Sequence, residues 1–148
     1  QDYPTSGMGA ANVGPEFTMN EFDALAELEA EEKKQFEAGR IPQLSNMGKV
    51  LWQKVYESGR WKKWLQPDEQ GKDLAEVSEE RQQWLVKTGC RYIWQAPEVL
   101  VARQKLYDNL AYVGIDAEDV VLMRIEHNMD KYYYAFNIVN LNDHLKNI

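Results

Sequence analysis

The sequence predicts an α+β fold, with about four helices packed on a small antiparallel sheet centred on a C-terminal β-hairpin. Three observations lead there. Apolar residues recur at helical spacing in four segments between Asn20 and Tyr112. Glycine or proline punctuates the ends of those segments. After Asp116 the composition turns to β-branched and aromatic residues, in two runs separated by Asn128-Met129-Asp130-Lys131.

The first helix is expected over Asn20–Ala38. Phe22, Leu25, Leu28 and Phe36 form its apolar stripe, Asn20 can cap it, and Gly39 follows its end. Its other face is acidic and reads as solvated. Gly39-Arg40-Ile41-Pro42 breaks the chain, and Ser45 is expected to cap a second helix that ends at Gly59 and buries Met47, Val50, Leu51 and Val55. Asp73 is expected to cap a third helix through about Thr88, with Leu74, Val77, Trp84 and Leu85 inward and Gly89 as its stop. Cys90–Trp94 alternates weakly and predicts a strand. Pro97 at a first helical position predicts a fourth helix to about Tyr112, burying Val99, Leu100, Leu106, Tyr107 and Leu110. Val120–His127 and Tyr132–Val139 are then the two strands of the hairpin. A lone hairpin is marginal in water, so it needs a third strand, for which Tyr92–Trp94 is the candidate, or a helix packed across it. Leu141–Ile148 is expected to form a final short helix.

Gln1–Thr18 is rich in Gly, Ala, Pro and Thr and contains no Lys or Arg. It reads as an expression linker or flexible tail, with Met19 as the natural start and residues 19–148 as one domain. A chain of 148 residues with five tryptophans and eight tyrosines has enough apolar surface for a core of its own. No apolar run reaches the roughly 20 residues that span a bilayer. The single cysteine, Cys90, excludes an internal disulfide and fits a reducing compartment, most simply the cytoplasm.

Charge is unevenly placed. Residues 19–38 carry seven acids and two lysines, whereas residues 39–64 carry six bases against Glu57 alone. That basic block holds three of the five tryptophans. Such asymmetry bears on partners rather than on fold.

Two segments stand out as binding surfaces. Arg60-Trp61-Lys62-Lys63-Trp64 combines cations with indoles, and Lys49, Trp52 and Lys54 on the preceding helix can extend it. Cations neutralise phosphates, and indole faces stack on unpaired bases. Against this stands the ordinary fate of tryptophan, which is burial as a core anchor. The second segment is Tyr132-Tyr133-Tyr134. On a strand, Tyr133 faces away from its neighbours, so one tyrosine face needs a cover from the sheet or from a partner.

Catalytic and metal-binding readings are weak. Cys90 and His127 form a conceivable nucleophile–base pair, but Thr88-Gly89-Cys90-Arg91 matches no nucleophile signature. Glu126, His127 and Asp130 lie near the predicted turn and read as solvated rather than metal-ligating. Gly7, Gly9 and Gly14 follow no predicted strand and are no dinucleotide fingerprint. Glu27, Glu29, Glu31, Glu32 and Glu37 resemble a phosphate run, but Lys33 and Lys34 interrupt it. No cofactor is expected. The sequence therefore points to a non-catalytic interaction module that binds another protein or self-associates. A single-stranded nucleic-acid binder using the Trp/Lys/Arg patch is the first alternative. A small enzyme using Cys90 or His127 is the second.

Overall fold

A computed structural model describes residues 14–136, and every regular element among them is helical. The α-helices are α1 (Gly14–Glu37), α2 (Met47–Ser58), α3 (Glu79–Gly89), α4 (Pro97–Tyr112) and α5 (Ala117–Ala135). Among the described residues there is no strand, so the α+β expectation and its hairpin are overturned.

The segment expected to be a hairpin is α5. Asp116 caps it, its side chain accepting from the Asp119 N–H at 3.0 Å, and Glu118 and Asp119 place negative charge at the positive end of the helix dipole. Ala117, Val121, Ile125, Asn128 and Tyr132 recur every three or four residues and turn inward. The alternating set Val121, Met123, Ile125 suggested a strand, yet Met123 is 60% exposed, so the period of 3.6 governs burial. Asn128–Lys131 lacks the glycine that tight hairpin turns favour, and it continues the helix, Lys131 donating to Asn128 at 2.9 Å. The expected strand Cys90–Trp94 is also corrected. It is a 3₁₀ turn, Cys90–Tyr92, followed by turn residues that deliver the chain to Pro97. Residues 137–139 of the predicted second strand, and the predicted last helix, lie outside the described residues, as do residues 1–13.

α1 lies against all four other helices. It begins at Gly14 rather than Asn20, so residues 14–18 of the expected tail are helical and Thr18 is buried. Leu25 and Leu28 enter the core, whereas Phe36, expected beside them, is 40% exposed. α1 runs antiparallel to α5, which Arg124 to Glu27 at one level and Tyr132 to Glu16 at another both require. The expected third helix divides. A capping box between Asp73 and Glu76 closes the 3₁₀ turn Leu74–Glu76, and Ser78 caps α3 by accepting from the Arg81 N–H. Two strong caps five residues apart each start their own element. Trp84 on α3 and Leu100 on α4 were expected to be buried and are instead exposed.

Two small details decide how the helices meet. Gly89 is the last residue of α3, where the sequence put the helix's end, and it has helical angles. Its role is close approach, since a Cβ there would stand 2.6 Å from Val55 Cγ1 on α2. Glu32, one turn beyond Leu28 on the buried stripe of α1, is wholly buried. It accepts from Ser45 N–H at 2.8 Å, Ser45 Oγ at 2.7 Å and Asn109 Nδ2 at 2.5 Å. Ser45, expected to cap α2, thus ties α1 to the loop before α2, and Asn46 takes the cap position in a left-handed conformation, φ 55°. A buried carboxylate is tolerated when its oxygens are this fully hydrogen-bonded.

Candidate functional site

Gly59 ends α2 at φ 61°, a left-handed turn that glycine adopts without a Cβ penalty. The turn throws the chain into the 3₁₀ element Arg60–Trp64. Its first aromatic, Trp61, points inward and is 1% exposed. Its Nε1–H donates to the Tyr56 carbonyl at 3.3 Å, and Tyr56 stacks between it and Trp52, with centroids 6.3 and 5.3 Å away. Trp61 is therefore a core anchor and not a surface residue. Burying an indole of this size stabilises the fold by about 4–6 kcal/mol.

With Trp61 anchored, Arg60, Lys62 and Lys63 are left at the surface and Trp64 half-buried. The 3₁₀ turn Cys90–Tyr92 comes up beside them and contributes Arg91 and Tyr92. Sequence reasoning missed these two because the segment was read as a strand. The Tyr92 ring becomes the centre of the cluster. Lys63 Nζ donates to its hydroxyl at 2.6 Å and lies 4.5 Å from its centroid. The Arg60 and Arg91 guanidinium carbons lie 4.8 and 5.3 Å from the same centroid. Trp64 packs at 5.8 Å, with Lys63 4.4 Å over its own ring. The Lys63 ammonium on the hydroxyl, helped by Arg91 and Arg60, holds the Tyr92 phenol below the usual tyrosine range. Among the described residues no carboxylate pairs with Arg60, Lys63 or Arg91. Three cations held together by π-faces and one phenol make a local positive field that no carboxylate among the described residues pairs with.

The expected extension along α2 is only partial. Lys54 is taken by Glu57 at 2.7 Å and Glu98 at 3.0 Å, and Trp52 by its stack on Tyr56. Lys62 lies 5.7 Å from the Trp61 ring.

The tyrosine trio belongs to a different part of the molecule. On the helix the three point about 100° apart, not to alternate faces of a sheet. Tyr132 turns to α1, meeting Phe17 edge-on at 6.3 Å and donating to Glu16. Tyr133 and Tyr134 face outward, 41% and 73% exposed. The trio and the cation cluster lie on elements that are not packed together.

Cys90 is fully buried, and burial pushes its thiol well above the ordinary cysteine range. It is in the core while His127 is exposed on α5, so the structure does not make them a pair. Among the described residues no three His, Cys, Asp or Glu side chains gather as metal ligands, and no helix is long and apolar enough to cross a membrane. The acidic face of α1 carries ion pairs, Lys33 with Glu29 and Lys34 with Glu31, each at 3.2 Å. No protein-family model, curated protein or solved structure matches this chain.

Proposed function

We propose that this chain is a non-catalytic interaction module that binds another protein, and that the cluster of Arg60, Lys63 and Arg91 around Tyr92 and Trp64 grips an acidic segment of that partner. The observation that carries this reading is the convergence of three cations on one phenol with no carboxylate paired to them among the described residues. Such a cluster holds its cations pre-positioned at the surface, which favours a carboxylate-rich ligand. The nucleic-acid alternative is weaker. Trp61 is buried, and cations already lie against the Tyr92 ring, so open faces for successive bases are scarce. The catalytic alternative has no thiolate to use at Cys90. A reducing compartment such as the cytoplasm suits the lone thiol.

The test is titration of a fluorescent Glu-rich peptide and a single-stranded oligonucleotide of similar charge against the full chain and a variant carrying Arg60→Glu, Lys63→Glu and Arg91→Glu. All three positions are exposed, so the variant should fold. The expected result is peptide binding that weakens with salt and falls about tenfold or more in the variant, with the oligonucleotide binding less well. Peptide binding unchanged by the reversal, or an oligonucleotide preference, overturns the reading.

A further inference from the structure

We infer that the groove between α4 and α5 is a docking site for a basic amphipathic helix of a partner protein. This site is separate from the cation cluster and does not depend on it. The groove encloses about 730 Å³, walled by Leu100 on α4 and Val121, Leu122 and Ile125 on α5. Leu100 and Leu122 are 43% and 50% exposed, so among the described residues the two walls present apolar surface to each other across an open gap.

The end of the groove at the α4–α5 turn is acidic, lined by Asp108, Asp116 and Glu118. Among the described residues none of these carboxylates has a cation within ion-pair reach. Asp116 caps α5 and Glu118 lies in its first turn, so that helix dipole offsets part of their charge. Asp108 lies toward the carbonyl end of α4, where the dipole adds to it. The cation lining the groove, Arg103, is already held by Glu21 at 2.6 Å. The field at that end is therefore negative beside an apolar floor.

These two properties select the occupant. Both walls are helices whose backbone groups are already hydrogen-bonded, so there is no strand edge to pair with. A guest must satisfy its own backbone, as a helix does. Leu100 to Ala111 spans roughly 16 Å at 1.5 Å per residue, the length of about three helical turns. Apolar residues of such a helix would cover Leu100 and Leu122, with Lys or Arg meeting the acidic end. Nucleic acid and anionic lipid are repelled there. Among the described residues, the basic segment Arg60–Trp64 of a second copy is a five-residue 3₁₀ turn pinned by buried Trp61, not a helix that could enter the groove. The chain's own residues 137–148 carry one lysine against one aspartate, so they lack the charge.

The experiment is fluorescence anisotropy of a labelled Leu/Lys amphipathic peptide and of a scrambled peptide of the same composition, titrated with the full chain. The variants are Leu122→Glu, and Asp108→Lys combined with Glu118→Lys. All three positions are exposed. Circular dichroism melts check that each variant keeps its fold. The amphipathic peptide should bind and the scrambled one should not. Each variant should weaken binding about tenfold or more, and salt should weaken binding to the native chain. The triple reversal at Arg60, Lys63 and Arg91 should leave this binding intact, which separates the two sites. Equal binding of both peptides, binding unchanged in the groove variants, or preferential binding of anionic vesicles overturns the proposal. So does a dimer in sedimentation that Leu122→Glu dissolves, or peptide binding that appears only after residues 137–148 are removed.

Discussion

Tryptophan and glutamate break the usual expectations in opposite ways. Trp61 sits in the most basic stretch of the chain, yet it is the element's core anchor, while the charged residues on either side of it stay in water. Trp61→Ala should cost about 3–5 kcal/mol in chemical denaturation, and Trp61→Phe markedly less, because the phenyl ring keeps most of the apolar contact. A small loss for Trp61→Ala would mean that the indole is not the anchor described. Glu32 reverses the case. Its neighbours in sequence are solvated, but it faces Ser45 and Asn109, and only their arrival makes burial of its carboxylate tolerable. The period of the helix does distinguish Glu32 from Glu31, since Glu32 falls seven residues after Leu25 and four after Leu28, but its charge masks that signal. Arg91 and Tyr92 are ordinary in sequence, and they become part of a candidate site only when the chain brings them beside Arg60 and Lys63.

At the scale of elements, the last two helices differ in how legible they are. α4 starts at Pro97 and ends at Tyr112 as its spacing and punctuation predict, because proline at the first helical position and the apolar stripe agree. α5 carries two periods at once. Its valines, isoleucine and tyrosines favour a strand locally, but a capped helix buries Ala117, Val121 and Ile125 against α1 and α4. Packing outweighs β-propensity, which spans only about 1 kcal/mol. The α2–α3 contact depends on Gly89. Gly89→Ala should destabilise by about 1–3 kcal/mol despite the higher helix propensity of alanine, since its methyl group meets Val55. Pairing it with Val55→Ala should recover part of that loss in a double-mutant cycle, and strict additivity of the two would speak against direct contact.

Across the whole molecule, the acids are more than excess charge. Glu69 is held below the usual carboxyl range chiefly by the Gln66 backbone N–H, with Arg81 in support. Glu57 is lowered first by Lys54, Glu31 first by Gln35, and Glu98 first by its own backbone N–H. A lowered folded value favours the charged native form, so this stability is complete above the ordinary glutamate range and is lost as pH falls through the lowered values. Thermal melts should hold steady from neutral pH down to about 5.5 and then fall as pH drops through the glutamate range. Glu69→Gln should flatten part of that acid limb, and an unchanged limb would remove Glu69 from the account. Salt should reduce the effect, because most of these pairs lie at the surface.

By itself the sequence determined where helices α2 and α4 lie, where α1 ends but not where it begins, and which stretch is basic. These follow from period, punctuation and charge, all of which act over a few residues. The tertiary structure decided what those signals leave open. It made a helix of the apparent hairpin, because burial against α1 and α4 selects one of two periods. It took Trp61 inward and brought Arg91 and Tyr92 to the basic stretch, because packing joins residues that lie far apart in the chain. It also left an apolar, acid-ended groove between α4 and α5, whose walls come from two elements that the sequence had placed in different structural classes.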